Sequence, residues 1–318
     1  MLRTACQLAA VCCLVAGCAT RAPLLESSAG LVELADTPFF PQDRYQCGPA
    51  ALATVLVASG VDVTPDDLVA QVYVPARRGS LTIEMQAAPR RYDRMAYPLK
   101  PEFQAIIAEL DAGRPVLVLH NYGFPFWPRW HYAVVIGYDA ARQRVLLRSG
   151  TERRQAQRAT HFMRAWDNGD RWALVLLEPG ELPAGAAQAE YLEAASAFER
   201  TTSPASALKV FDAAIARWPQ EPLAWVGRGT AHYRSGVPRS AAADYARALQ
   251  LDPALAGARN NLAMTLLDLD CPASARQQLE RIDEDRLSPA LRDAIADTRR
   301  QIQAHAGQVD TGECSGGY

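Results

Sequence analysis

The sequence predicts two domains of different class: an α+β domain of helices packed on an antiparallel sheet up to about residue 183, then an all-α domain. Three observations predict this. Between Leu31 and Pro183 the apolar pattern alternates between a helical period and a period of two. From Ala184 onward strand-like runs stop and alanine, leucine, arginine and glutamate dominate. In that second part Ala207, Ala241 and Ala275 stand 34 residues apart, which marks an internal repeat.

The first segment, MLRTACQLAAVCCLVAGCAT, has one positive charge at Arg3, an apolar stretch from Ala5 to Ala16, and then small residues. That is the layout of a secretory signal, and it is too short to span a bilayer as a helix. Val15-Ala16-Gly17-Cys18 resembles the bacterial lipobox, which implies a signal peptide over 1–17, lipidation at Cys18 and a linker over 18–35. Ala19 stands where an inner-membrane retention signal of the enteric type would have Asp. The expectation is therefore a membrane-anchored lipoprotein facing the periplasm, on the outer membrane.

Of seven cysteines, Cys6, Cys12 and Cys13 fall in the signal and Cys18 would be acylated, leaving Cys47, Cys271 and Cys314 in an oxidising compartment. Cys271 and Cys314 are able to pair, which would leave Cys47 free. Lys plus Arg number 33 against 35 Asp plus Glu, a net charge of -2, which argues against nucleic acid as a partner. No cofactor or metal is expected.

In the domain over 36–183, a helix is predicted from Cys47 to Ala58, ending at Ser59-Gly60. A second is announced by Thr64-Pro65-Asp66-Asp67, with Thr64 as cap and Pro65 in the first turn. Residues 102 to 112 carry apolar side chains at Phe103, Ile106, Ile107 and Leu110 before Gly113, the pattern of an amphipathic helix with a glycine stop. Strands are predicted over 116–120, 131–138, 145–149 and 172–177, which are β-branched or aromatic-rich and bounded by turn residues.

The repeat registers extend to Phe211, Tyr245 and Leu279, to Pro219 and Pro253, and to Ala214, Ala248 and Ile282. Thirty-four residues is the tetratricopeptide period, and Trp225, Gly229, Gly236, Ala241, Tyr245, Ala248 and Pro253 fit that motif, with His232 where a tyrosine is usual. About three repeats are expected over 184–290, followed by a terminal helix and flexible tail over 291–318. Small residues let paired helices approach and aromatics fill the gap, so each unit buries its face against its neighbours. Such repeats present a surface to a peptide or protein partner.

Chemistry concentrates at Cys47. A cysteine nucleophile works as thiolate, and unpaired amides at a helix start favour negative charge there. Gly48-Pro49 suits such a start. The base must be a histidine, and His131 is the best placed, opening the run HYAVVIGYD after the turn-rich NYGFPFWPRW; His120 competes with it. His161 lies in a polar stretch between strands, and His232 and His305 lie in or beyond the repeats.

QCGPAALATVL followed by WHYAVVIGYD, 84 residues from Cys47 to His131 (131 minus 47), resembles the papain-like cysteine peptidases that process bacteriocin precursors at double-glycine leaders. The resemblance covers about residues 36 to 180. The arrangement of lipoprotein signal, this domain and tetratricopeptide repeats also resembles a group of bacterial lipoproteins assigned to that peptidase family. The resemblance implies a papain-like α+β peptidase fold, Cys47 as nucleophile and His131 as general base. The family's oxyanion glutamine falls six residues before the cysteine, at Pro41 here, so Gln42 is the candidate donor. Its aspartate after the next strand is replaced by Arg148 and Ser149, so Ser149 is the candidate orienter, with Asp139 at the wrong end of the strand.

The function expected is hydrolysis of a peptide bond through a Cys47 thioester, with FPFWPRW shaping the substrate groove. A catalytically idle protein-binding module at the outer membrane is the alternative. Acyl or γ-glutamyl transfer, in which an amine intercepts the thioester, is a third.

Overall fold

The computed structural model describes residues 25, 29–42, 46–124, 126–285, 287–305, 309, 310 and 314; the expected signal peptide and Cys18 lie outside them. Its first half is built on an antiparallel seven-stranded sheet. Seven strands form it: β1 (Leu31–Glu33), β4 (Met95–Pro98), β5 (Val116–Asn121), β6 (Trp130–Asp139), β7 (Arg144–Ser149), β8 (Glu152–Arg158) and β9 (Ala173–Leu177). Their order is β4-β9-β5-β6-β7-β8, with β1 alongside the second half of β6. A separate two-stranded ribbon pairs β2 (Tyr73–Val74) with β3 (Gly79–Ser80).

Period-two alternation sends neighbouring residues to opposite faces, and here both faces are covered. Leu117, Tyr132, Val134, Ile136 and Leu146 meet α1 (Cys47–Ala58), α2 (Pro65–Val72) and α3 (Thr82–Ala87) on one side. Val116, Val118, Ala133, Val135, Val145 and Leu147 meet α4 (Phe103–Asp111) and α5 (Ala159–Asp167) on the other. Helix α2 starts as its sequence dictates: the Thr64 amide donates to Asp67 Oδ2 at 2.9 Å, within a capping box.

Two elements depart from the sequence reading. Residues 152–158, ERRQAQR, form the edge strand β8, whose polar side chains suit a strand paired on one side only. Residues around His161 form helix α5, which buries Phe162, Ala165 and Trp166 and leaves His161 exposed.

The second half is helical: α6 (Gln188–Glu199), α7 (Pro204–Arg217), α8 (Pro222–Arg234), α9 (Pro238–Leu251), α10 (Ala256–Asp268), α11 (Pro272–Glu280) and α12 (Pro289–Gln303). The pairs α6/α7, α8/α9 and α10/α11 are tetratricopeptide-like, with aromatic rings filling space that glycines leave. Gly229 faces the Tyr245 ring, and Gly227 faces Phe211 so closely that a Cβ there would fall inside the ring's van der Waals shell.

The halves share a core. Met95, Tyr97, Val175 and Leu177 of the sheet pack with Tyr191, Leu192, Ala195 and Phe198 of α6, each large side chain contributing about 1.5–3 kcal/mol. Asp93 accepts hydrogen bonds from Thr202 Oγ1 (2.6 Å) and Ser206 Oγ (2.7 Å), and buried Glu109 accepts one from the Ala184 amide (2.7 Å). The repeats are thus docked on the first domain.

The residues expected as a flexible tail are held at two described points. Cys314 forms a disulfide with Cys271, and the Asp310 carboxylate accepts from the Ala273 and Ser274 amides at the start of α11. Cys47 is free.

The tight Gly227 contact predicts that Gly227→Ala destabilises the protein by about 1–3 kcal/mol through overpacking against Phe211. The measurement is the denaturant midpoint. Gly257→Ala, where open space surrounds the missing Cβ, serves as the control and has the smaller effect.

Candidate active site

Helix α1 is apolar almost all round, and residues Gly48 to Leu56 are all buried. Its start is therefore pressed between the sheet and the β2–β3 ribbon. Gly48 makes the approach possible, since a Cβ there would collide with the Ser80 side chain. This places the half-buried Cys47 thiol against the Tyr132 main-chain amide, and Tyr132 directly follows His131.

Two opposing effects act on the thiol. The amides of Tyr132, Gly48 and Cys47 itself favour the anion, as a helix start should, but burial favours the neutral form more strongly. Burial wins, and the thiol is held above its ordinary value of 9.0. Among the described contacts, no hydrogen bond joins Cys47 to the His131 ring. The amides at the helix start thus act in the expected direction, burial outweighs them, and the resting group is the thiol.

His131 opens β6, directly across from His120 on β5. Its Nε2 lies 2.9 Å from Ser149 Oγ, which ends β7 and is itself buried. If Nε2 carries the proton and donates it to Ser149, Nδ1 is left as an acceptor. Burial lowers the His131 pKa from 6.5, so the ring is neutral at pH 7. The Tyr122 ring tilts over it at 6.0 Å.

His120 has a different environment. Its ring is fully buried edge-on to Phe162 at 4.9 Å, its Nδ1 meets Tyr122 Oη at 2.9 Å, and burial pushes its pKa down to about 3. It sits as a neutral core residue behind His131, inside the α5 packing. His232 bonds Asp244 at 2.8 Å within the repeats, and His305 follows α12.

Gln42 is fastened to the same corner. Its main-chain amide donates to Gly150 O (2.9 Å), its Oε1 accepts from Gly150 N (3.1 Å), and its Nε2 reaches Tyr132 O at 3.4 Å. The side-chain amide thus bridges β6 and the turn after Ser149, with a second Nε2 hydrogen unassigned to those bonds. Arg148, on the face opposite Ser149, holds the incoming segment: its guanidinium donates to Thr37 O at 2.8 Å and Ala35 O at 2.8 Å. Asp139 closes the turn at the far end of β6, accepting from the Arg142 amide at 2.9 Å.

The loop carrying FPFWPRW projects beside the start of β6. Asn121 Oδ1 pins its base by accepting from the Gly123 and Arg129 amides, while Phe124, Phe126 and Trp127 are exposed, Phe126 by 84%. Sequence reasoning did not reach the Tyr132 amide, Ser80 or Tyr122. Only Tyr122 had a local signal, in its place beside the turn residues Asn121 and Gly123.

The Peptidase_C39 like family model matches residues 34–173. No curated protein matches the chain. Among solved structures, a C39-like peptidase from Bacillus anthracis shares 16% identity, covering 47% of this chain and 98% of that one, with a TM-score of 0.39. The peptidase domain of Streptococcus ComA, a bifunctional transporter of a quorum-sensing pathway, shares 19% identity over 45% of this chain and 98% of that one, at 0.36. The TPR2B domain of yeast Sti1, solved as its pHsp70 complex, shares 20% identity over 37% of this chain and 98% of that one, at 0.34. Residues 34–173, an α+β unit, thus match the Peptidase_C39 like family model, and the helical region that follows resembles tetratricopeptide repeats.

Proposed function

We propose that the chain is a cysteine peptidase with Cys47 as nucleophile and His131 as general base. The observation that carries this reading is the 2.9 Å contact between His131 Nε2 and Ser149 Oγ, which commits one ring nitrogen to an orienting partner and leaves the other to act as base. Because the thiol is held up and the imidazole held down, attack is coupled to proton transfer and does not start from a preformed ion pair.

In the acylation step the thiol proton passes to His131 Nδ1 as Sγ adds to the substrate carbonyl carbon. The oxyanion of the tetrahedral intermediate is met by the Cys47 amide and the free hydrogen of Gln42 Nε2. The C–N bond then breaks, its electron pair staying on nitrogen, and His131 returns the proton to the leaving amine. Water, deprotonated by the same ring, cleaves the thioester and regenerates the thiol. Ser149 orients the ring in both steps, and the exposed aromatic loop forms one wall of the substrate groove. The repeats dock a peptide or protein partner.

Cys18 carries a lipid that anchors the protein on the outer membrane, facing the periplasm; the lipobox-like Val15-Ala16-Gly17-Cys18 supports this. The free Cys47 beside a formed Cys271–Cys314 disulfide is in keeping with an oxidising compartment.

A second reading, a catalytically idle binding module, is favoured by the raised thiol and by a hydroxyl at Ser149 where a carboxylate would stabilise an imidazolium. Assay against a fluorogenic peptide library separates the two. Cys47→Ala and His131→Ala abolish cleavage, and Ser149→Ala lowers kcat/KM about tenfold to a hundredfold through loss of one hydrogen bond to a developing charge. Absence of cleavage by the unsubstituted protein across the library decides for the idle module.

The pH profile follows from the two groups. His131 must be neutral to accept the proton, and burial lowers its pKa, so the acid limb of kcat/KM lies below 6.5; the thiol contributes no limb below 9.0. Ser149→Asp places a negative charge against the ring and moves the acid limb to higher pH. For the anchor, Cys18→Ser shifts the protein from the membrane fraction to the soluble fraction and abolishes metabolic palmitate labelling.

A further inference from the structure

His131 is oriented by one hydrogen bond to an uncharged partner, the 2.9 Å contact of Nε2 with Ser149 Oγ. A carboxylate in that place would hold the ring by charge as well as by geometry. A hydroxyl supplies the geometry alone, and water that reaches the bond competes with it. A second constraint on the ring comes from Tyr122.

Tyr122 follows the end of β5 at the base of the aromatic loop. Its main chain is fixed there: its amide donates to Arg129 O at 3.0 Å, and the neighbouring Asn121 Oδ1 accepts from the Gly123 and Arg129 amides. The residue is 38% exposed, yet its hydroxyl is turned inward. Oη lies 2.9 Å from Nδ1 of the fully buried His120 and also bonds the Gln157 side chain of β8. His120 is neutral, so its Nδ1 accepts the phenol proton while the Gln157 amide donates to Oη.

That tether decides where the ring lies. It tilts against the His131 imidazole with centroids 6.0 Å apart and planes at 43°, and against the His161 ring of α5, also at 6.0 Å and at 32°. His131 is thus faced by His120 from β5, Ser149 from β7 and Tyr122 from the loop base, with the Cys47 thiol of α1 on the adjacent Tyr132 amide. None of these is a carboxylate, and burial is what lowers the His131 pKa.

We propose that Tyr122, tied by its hydroxyl to His120, is a positioning residue whose ring covers His131, keeps Nε2 on Ser149 Oγ and leaves Nδ1 to act as base. The inference rests on the reading of His131 as general base and deepens it. It also gives the buried His120 a part in the site, as the fixed point to which Tyr122 is tied, outside proton transfer itself.

The test reads the His131 ring by NMR in the full purified chain carrying isotope-labelled histidine, with His131→Gln to identify its signals and the His232 signal, from the repeats, as an internal control. In the unsubstituted protein the neutral ring holds its proton on Nε2. Tyr122→Ala uncovers the ring, so the His131 pKa rises toward 6.5 and the tautomer with the proton on Nδ1 appears. Tyr122→Phe keeps the ring and cuts the tether, and moves both in the same direction by less. Against a cleaved peptide, Tyr122→Ala lowers kcat about tenfold with KM within about twofold, and the acid limb of kcat/KM follows the pKa to higher pH. An unchanged pKa and tautomer in Tyr122→Ala, or a fall in that pKa, overturns the inference. A change in Tyr122→Ala with none in Tyr122→Phe overturns the tether to His120. If Tyr122→Ala does not fold, Tyr122→Phe decides by itself, and no movement there overturns the inference. The ring is read without substrate, so a chain that cleaves nothing overturns the peptidase reading alone, and the NMR outcome still decides for or against Tyr122.

Discussion

The burial of α1 sets the geometry of the first domain. Nine consecutive residues from Gly48 to Leu56 are hidden, with the sheet on one side and Leu68, Val72 and Met85 on the other. A helix held on all sides has no freedom to slide, so the residue at its first position is located to within the tolerance of core packing. Cys47 occupies that position. Its neighbour Gly48 has no side chain because Ser80 is already there, and the sulfur meets the Tyr132 main chain because Tyr132 is itself a core residue under the helix.

The same burial decides the electrostatics. Amides at a helix start lower a thiol pKa and removal from water raises it, and at Cys47 the second is larger. Removal from water also lowers the pKa of His131. Both groups therefore rest uncharged, and in the proposed reaction charge develops only as the sulfur adds to a carbonyl. Ser149, a hydroxyl where a carboxylate would hold an imidazolium permanently, is consistent with a neutral resting site.

Much of this was legible in the sequence, and the exceptions have physical reasons. The helix after Cys47 and the strand after His131 were readable because each buries a local, periodic set of apolar residues. Strand β8 was not, since ERRQAQR at a sheet edge is held by its ladder hydrogen bonds and needs no apolar face. Helix α5 was missed because its burial rests on four residues, Ala159, Phe162, Ala165 and Trp166, two of them alanines, within nine. Cys47, His131, Ser149 and Gln42 were named from motif and spacing, and the structure gathers the last three around Gly150 and the start of β6. The Tyr132 amide was out of reach, because a main-chain donor leaves no mark on residue choice. The Cys271–Cys314 bond was legible only as a possibility, and Asp310 as a helix cap on α11 was invisible at a separation of 36 residues from Ser274.

Helical repeat arrays lose structure from their outermost units, where each helix has one neighbour instead of two. Here the first helix, α6, is wedged into the sheet through Tyr191 and Phe198, so that boundary is an internal core. At the opposite boundary the chain folds back, Asp310 onto the start of α11 and Cys314 onto Cys271, adding a covalent clasp beside α12. Fraying from the first margin therefore has to break into the core shared with the sheet, and at the other the start of α11 is tied to Asp310 and Cys314, so among the described residues neither α6 nor α11 is held by helix stacking alone.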